Sequence, residues 1–570
     1  MIREKIQNLV RDAIGKLWPD FAIGEIVVEK PDDSKLGDYA VSVAFALAKQ
    51  SKLPPAETAG VLVKELEKNK SIEIDRMESI GGYINFFLSL EFLKKELSGI
   101  YKKADSYGES NKGKGEKIIV EYSQPNIAKP LHAGHLRNTV LGDALANIYD
   151  FAGYKTIRWN YLGDWGTQFG KVIAAYKKWS NEEKVKADPI GELVNLYIRF
   201  DQEAKNDPEL DKLGQEEFKK LESGDSGNRE LWAWFKEESL RALEKTYDLL
   251  GIKFDVDIGE SFYENMLPGL VERLIKDGIA ETGEGGAIII NLEKYNLPPA
   301  LIRKADGASL YLTRDIANLE YRLKKYKPYK ILYVVGSEQA LHFEQLFAIA
   351  EIIKLDSAVL KHIKYGLVLG EDKKKLSTRG GNAVTFQEII DKTLELADKI
   401  VREKHPEMSE KDYQEISKVV GVGALKYTML KDHTSTDIAF SWERMLDFNG
   451  NSGPYLQYTY ARLASIIHKA EKIKKPDFGY LEKEIEFSII KHLIEFPEIV
   501  KYSAGNYLTN YLATYLFELA NLANQFYETT PVLKEENEGI RNARLGLIET
   551  INAIMKTGLS LLGIQVLDKI

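Results

Sequence analysis

Apolar residues recur at helical spacing from the start of the chain. Ile2, Ile6, Leu9, Val10, Ala13, Ile14 and Leu17 share one face, which predicts an amphipathic helix with a buried stripe. Ile26, Val27 and Val28 form an extended piece, and a polar loop over residues 35–40 leads into an alanine-rich helix reaching Lys49. A further helix is predicted over residues 55–68, and Ile72, Ile74 and residues 82–88 read as strand. Together these make an α+β unit of roughly a hundred residues, an ordinary domain size. The polar run over residues 106–115, with glycines at 108, 113 and 115, closes it as a linker.

From Glu116 short apolar runs alternate with helical sequence, the mark of a parallel sheet with crossover helices. Ile118-Ile119-Val120 reads as a buried strand, residues 136–145 as a helix and residues 156–161 as a second strand. A glycine-punctuated loop covers residues 162–170. Residues 180–260 are charged helical sequence interrupted at 223–227, a helical insertion, and a short strand follows at 285–290. The sheet is expected to resume at 330–336 and at 365–370. Ligands of such sheets sit beyond the carboxyl ends of the strands, so the loops after Val120, Tyr161, Val335 and Leu369 are expected to share a pocket. Beyond Thr385 helical periodicity dominates to Ile570, broken at Ser452-Gly453-Pro454. The last block carries many tyrosines, and at helical spacing these are mostly edges of an amphipathic core rather than platforms for bases.

A chain of 570 residues is too long for one core and asks for several domains. Its 44% hydrophobic and 29% charged residues are those of a globular enzyme. The lack of cysteine excludes disulfides, cysteine nucleophiles and cysteine-ligated metal centres. The first residues open an amphipathic helix rather than a signal peptide, and no stretch is apolar enough to span a bilayer. A cytoplasmic chain with no membrane partner is therefore expected. The net charge of −8 argues against indiscriminate polyanion binding and leaves a local basic face open.

The densest polar stretch runs from Glu121 to Arg137, E-Y-S-Q-P-N-I-A-K-P-L-H-A-G-H-L-R. It joins a strand to a helix N-terminus, where free backbone N–H groups and the helix dipole favour an anion. His132 and His135 with Gly134 between them suit the phosphates of a nucleotide. Two histidines at this spacing could equally be half of a metal pair, which needs further ligands. A second stretch, residues 373–382, gathers Lys375, Ser377, Thr378 and Arg379 into a cationic loop after a predicted strand. Such a loop can neutralise charge on a transferred group and on leaving pyrophosphate; alone it reads as a solvated basic turn. A third, D-G-A-S-L-Y-L-T-R-D over residues 306–315, puts Tyr311 and Asp315 on one helix face. A carboxylate beside a phenol suits a guanidinium, although an ordinary salt bridge is the commoner fate of an aspartate.

In combination these stretches carry a resemblance. S-x-x-N-x-A-K-P-x-H-x-G-H-x-R over residues 123–137 is similar to the nucleotide-binding motif of class I aminoacyl-tRNA synthetases, in the form typical of the arginyl-tRNA synthetase family. Residues 375–379 resemble the flexible KMSKS loop of that class. Thr378 stands where the general pattern has its second lysine, Lys129 resembles the residue that substitutes for it, and Gly380 stands where a further lysine is common. Residues 306–315 resemble the family's arginine-side-chain site. The family implies an α/β catalytic domain with a Rossmann-like parallel sheet, an N-terminal α+β domain and an all-α C-terminal domain. The expected segments are 1–112, 113–385 with a helical insertion at about 180–290, a helical connecting region at 386–445 that contacts the tRNA stem, and an anticodon-binding block at 446–570.

The resemblance also implies chemistry: activation of L-arginine with ATP, then transfer to the 3′-terminal adenosine of tRNA(Arg), with tRNA needed for activation. His132, Gly134, His135, Leu376 and Ser377 would hold ATP, with Mg2+ carried on its phosphates and no protein metal site. Catalysis would rest on His132, His135, Lys129, Lys375, Ser377, Thr378 and Arg379. Glu121, Asn126, Glu260, Tyr311, Asp315 and Gln339 would hold L-arginine. Tyr455, Tyr458, Arg462 and Tyr527 would meet the anticodon, and Tyr83 and Asn85 the tRNA elbow. A monomer is expected. A nucleotidyltransferase of the same fold is disfavoured by length, and a cysteinyl synthetase by the missing cysteines. A catalytically inactive synthetase-like RNA-binding or scaffold protein is the non-enzymatic alternative, against which the intact histidine pair speaks.

Overall fold

The computed structural model describes residues 2–127, 131–307, 310–374, 376, 384–470 and 474–570. Two compact units emerge. One comprises Met1–Tyr107, Leu463–Glu498 and Glu518–Met555; the other comprises Gly108–Arg462, Ile499–Phe517 and Lys556–Ile570. The C-terminal helical sequence is thus shared between them.

The first unit opens with the predicted helix, Ile2–Leu17, whose Ile6, Val10 and Ile14 are fully buried. Strands β1 (Val28–Glu29), β2 (Tyr39–Val41), β3 (Ile74–Ile80) and β4 (Tyr83–Leu88) form an antiparallel sheet in the order β1-β2-β4-β3. β2 lies in the stretch expected to be a loop: the polar residues before it hide a buried triplet that pairs on both edges. The C-terminal helices of this unit bury an ion network, with Arg544 Nε 2.8 Å from Glu486 and Nη1 2.7 Å from Glu535. Buried charges of this kind persist only when fully partnered.

The second unit holds β5 (Lys117–Glu121), β6 (Lys155–Leu162) and β7 (Val256–Gly259). There follow β8 (Glu281–Thr282), β9 (Ile288–Ile290) and β10 (Ala300–Arg303), which make a small antiparallel sheet, and then β11 (Lys330–Gly336) and β12 (Val359–Tyr365). β12-β11-β5-β6-β7 is one parallel sheet. The chain grows from β5 to β7 in one direction and then returns to add β11 and β12 on the other side. The strand order therefore reverses between β5 and β11, and the crevice for a ligand opens at their carboxyl ends.

Helices cover both faces. Ile119, Trp159 and Ile331 pack against Ile316 and Leu319 of the helix Tyr311–Tyr326 and Leu346 of the helix Ala340–Ile352. The helix Ala133–Phe151 is buried along most of its length. A Cβ on its Gly142 would stand 2.2 Å from the Tyr122 ring, so only glycine lets this helix approach the end of β5.

Three expectations give way here. The last sheet strand is Val359–Tyr365, not 365–370. Its sequence V-L-K-H-I-K-Y mixes lysines into a half-exposed edge and lacks the apolar run expected of a buried strand. The pair Val368–Leu369 (β13) instead joins Ile438–Ala439 (β14). The insertion is helical from Glu182 to Leu250, after which β7 returns to the main sheet as a short edge strand. The loop after β6 ends early, because a helix begins at Thr167.

Candidate active site

Beyond β5 the backbone turns through Ser123 and Gln124, both at positive φ, 71° and 52°, a conformation that non-glycine residues adopt only where surroundings enforce it. The enforcement is visible. Asn138 accepts from the Ser123 N–H at 2.7 Å and donates to the Gln124 side chain at 3.2 Å, while Ser123 Oγ meets the Tyr247 hydroxyl at 2.7 Å. The chain then bridges to the end of β6, with Gly163 N–H donating to Pro125 O at 2.9 Å and Asn126 beside Gly163.

His132 caps the helix Ala133–Phe151. Its Nδ1 accepts from Gly134 N–H at 3.1 Å, and His135 Nδ1 accepts from His132 N–H at 3.2 Å. The rings lie 4.1 Å apart. Both imidazoles thus complete the first helical turn. Burial, reinforced by His132, pushes the His135 pKa down to about 3, so its ring is neutral at physiological pH. Leu376 lies past β13; Lys129, Lys375, Ser377, Thr378 and Arg379 lie outside the described residues.

On the other side of the crevice lies an acidic basin. Glu121 ends β5, Glu260 follows β7, and Asp315 lies one turn into the helix Tyr311–Tyr326. Arg322, seven residues after Asp315, is fully buried and bonds Glu121, whose other oxygen accepts from Gln124 at 2.6 Å. Burial, opposed by Arg322 and aided by Asp315, raises the Glu121 pKa. Arg314 reaches Glu264 at 2.5 Å and Glu260 at 3.7 Å.

The Glu260 Oε2 and the Tyr161 hydroxyl are buried without a hydrogen-bond partner. Burial, opposed by Arg314 and aided by Asp315, raises the Glu260 pKa to about 8. Asp164 fixes Glu260 in place: it is fully buried, accepts from Ser261 N–H at 2.9 Å and Oγ at 2.8 Å, and pairs with Lys236 at 2.5 Å. Orphaned acceptors and excess carboxylate in one crevice make a receptor for a cationic group with several donors.

Tyr311 is exposed at the mouth, and Gln339 is exposed after β11. The crevice thus collects Glu121, Asn126, Glu260 and Asp315 with Tyr311 and Gln339 at its rim, while the histidine pair caps the helix that follows the same β5 loop. Sequence reasoning missed His342, whose Nε2 lies 2.6 Å from Asp315, as well as Tyr161, Asp164 and Arg322. Arg322 had a signal, since seven residues from Asp315 returns to the same helix face.

The nucleic-acid candidates are dispersed. Tyr455, Tyr458 and Arg462 share the helix Gly453–Lys469, with the Arg462 guanidinium 4.9 Å from the Tyr458 ring centre and Tyr455 against Phe517. Tyr527 is exposed, as is Tyr83, whose ring packs on Phe45. Asn85 is buried at 4% exposure inside the first sheet, which keeps its side chain off the surface where a nucleic acid would bind. Among the described residues no helix is long and apolar enough to cross a membrane.

Comparison with known proteins extends over the whole chain. Residues 96–442 match the catalytic domain of class I (R) tRNA synthetases, residues 456–570 the DALR anticodon binding domain, and residues 4–88 the arginyl-tRNA synthetase N-terminal domain. The chain is 40% identical over 573 residues to the arginine–tRNA ligase of Halothermothrix orenii, covering 100% of this chain and 99% of the relative. It is 42% identical over 550 residues to that of Clostridium perfringens, covering 96% of each. The arginyl-tRNA synthetase structure from Plasmodium falciparum superposes with a TM-score of 0.83 at 27% identity, covering 100% of this chain and 99% of the other. That from Thermus thermophilus gives 0.82 at 25%, covering 100% of both. A crevice at the strand-order reversal, lined by carboxylates and flanked by a histidine-capped helix, and likeness along the full length lead to one conclusion: the chain belongs to the arginyl-tRNA synthetase family of class I synthetases.

Proposed function

We propose that this chain activates L-arginine with ATP, forming arginyl-adenylate and pyrophosphate, and then transfers arginine to the 3′-terminal adenosine of tRNA(Arg). The observation that carries the reading is the acidic basin beyond β5, where Glu260 Oε2 is buried without a donor. The guanidinium of L-arginine would supply that donor and a charge for Asp315, while Tyr311 closes on its stem. Asn126 and Gln339 would hold the α-groups so that the carboxylate points at the α-phosphate.

That carboxylate is itself the nucleophile, so no side-chain base is required; the enzyme's task is in-line positioning and charge stabilisation. The arginine carboxylate oxygen bonds to the α-phosphorus as the bond to pyrophosphate breaks. His132 and His135, with Gly134 letting the ligand approach, would donate to the nucleotide, and Leu376 would flank it. Lys129, Lys375, Ser377, Thr378 and Arg379 would meet the leaving pyrophosphate, and Mg2+ would enter on the phosphates of ATP. A ribose hydroxyl of tRNA then attacks the mixed anhydride and AMP departs.

Tyr455, Tyr458, Arg462 and Tyr527 would contact the anticodon and Tyr83 the elbow; burial leaves Asn85 as support for the strand that carries Tyr83. In this reading segments 1–112, 113–385, 386–445 and 446–570 serve elbow, catalysis, stem and anticodon, in a cytoplasmic monomer.

The test is arginine-dependent ATP–pyrophosphate exchange with and without tRNA(Arg), with lysine and citrulline as controls. Exchange with arginine alone among the three supports the reading, and a requirement for tRNA supports coupled activation. Absence of exchange in a folded chain that still binds tRNA would return the inactive RNA-binding alternative.

A further inference from the structure

Three cations stand among the carboxylates of the basin. Arg322 stands on Glu121, Arg314 on Glu260 and Glu264, and His342 on Asp315, Nε2 to Oδ2 at 2.6 Å. Guanidinium groups keep their charge at any pH a protein meets, whereas an imidazole does not. Of these three cations, His342 alone can be discharged in place.

Its surroundings hold it to that partner. His342 lies in the first turn of the helix Ala340–Ile352, three residues after Gln339, with the Phe343 ring edge-on at 5.3 Å. Asp315 faces it from the helix Tyr311–Tyr326, and Glu121 from the end of β5. His362 of β12 stands behind Phe343, its Nε2–H donating to Val335 O at 2.9 Å. Burial lowers the pKa of His362.

We infer that His342 is the resident counter-ion of Asp315, and that L-arginine enters the basin by exchanging its guanidinium for the proton His342 carries. The inference rests on the reading that Asp315 receives the substrate guanidinium. In the exchange, the Nε2–H bond of the imidazolium breaks, its electron pair remains on nitrogen, and the proton leaves to solvent. Two cations on one half-buried carboxylate would repel each other across the crevice, and the imidazolium is the one that can relax by losing charge. Burial alone would lower the His342 pKa, but the hydrogen bond and charge of Asp315, with Glu121 behind it, raise it above the ordinary value. The ring is therefore charged at mildly acidic pH before arginine arrives. His342 acts through Asp315 and is a positioning residue.

The experiment is isothermal titration of L-arginine into the full-length protein between pH 6 and 9, in buffers of differing ionisation enthalpy. The expected result is proton release on binding that fades as pH rises. Affinity should strengthen with pH by up to about tenfold per unit for each proton displaced. Glu260 also sheds a proton when a guanidinium arrives, so the discriminating variant is His342→Gln, which keeps a donor for Asp315. It should release fewer protons than wild type at pH 6–7, bind more tightly there, and match Glu260→Gln in retaining only one source of the slope. Wild-type binding without proton release, or an H342Q profile superposing on wild type, overturns the inference while leaving the basin reading intact. Unchanged arginine affinity in Asp315→Asn overturns the basin reading itself, and the inference with it. The wild-type proton count needs no variant to fold.

Discussion

Arg137 Nη1 donates to the Gly366 carbonyl at 2.7 Å, and its Nη2 to Thr434 O at 3.0 Å. One guanidinium thus fastens the histidine-capped helix to the turn between β12 and β13 and to the segment leading into β14. Burial lowers its pKa to about 10, which leaves it charged at neutral pH. Arg137→Ala strips the Gly366 carbonyl of this donor and leaves Thr434 O with only the Gly366 N–H at 2.9 Å, and should destabilise by about 1–3 kcal/mol, the usual cost of an unsatisfied buried polar group. Chemical denaturation reads this. Arg137→Lys keeps the charge but loses the fork and should recover only part of the stability.

The histidine pair makes a different kind of prediction. Because burial and His132 hold the His135 pKa near 3, pyrophosphate exchange at saturating arginine should show no acid limb near pH 6.5 from this residue. Removing the pair should slow exchange by about 10²–10³-fold, the scale for losing preorganised donors to a developing charge, with tRNA binding spared. The linkage has a definite sign. Between pH 6.5 and 3 the unfolded chain binds a proton at residue 135 that the folded chain refuses, so stability falls as pH falls through this window. His135→Asn should flatten that decline in a pH series of thermal melts.

How much of this was legible depends on where each signal resides. β5 and β11 announce themselves as Ile118-Ile119-Val120 and Ile331-Leu332-Tyr333-Val334-Val335, because central strands of a parallel sheet are buried on both faces. β7 and β12 pass unnoticed because an edge strand needs only half its residues apolar. The basin is legible in part: Asp315 and Tyr311 declare themselves by helical spacing, but Glu260 reaches them through a fold that brings residues 164, 236 and 261 together. The partnership of His342 with Asp315 has no local signature, since it spans two helices that only tertiary packing sets side by side. Asn85 shows the limit of motif transfer: it shares a strand face with Tyr83, yet it is buried where β4 pairs on both edges, while Tyr83 at the start of the strand pairs on one edge and is exposed.

Glu260 should trade stability for recognition. Its pKa of about 8 in the folded chain lies above its ordinary value because of burial. Between these pH values the folded chain holds a proton that the unfolded chain releases, so stability declines as pH rises through this range. Glu260→Gln should melt higher than wild type at pH 9 and bind L-arginine more weakly at every pH above neutrality. A loss of about 2–3 kcal/mol in kcat/KM is expected, the scale of one charge-assisted hydrogen bond. Thermal melts and arginine titrations at two pH values give both readouts. A variant neither stabilised at pH 9 nor impaired for arginine would remove Glu260 from the basin.

Nucleic-acid recognition is tested on the helix Gly453–Lys469. The Arg462 guanidinium over the Tyr458 ring, 4.9 Å from its centre, presents an aromatic face and a cation together, a pairing suited to an unstacked base beside its phosphate. Tyr458→Ala should weaken tRNA(Arg) binding by about 1–3 kcal/mol, the range for one base–aromatic stack. Arg462→Ala should weaken it and also lower the slope of log affinity against log salt by about 0.7, as one single-strand phosphate contact is lost. Tyr458→Phe should retain stacking and bind nearly as wild type. Filter binding across a salt series separates the two roles. Equal slopes for Arg462→Ala and wild type would place this arginine in packing rather than on the tRNA backbone.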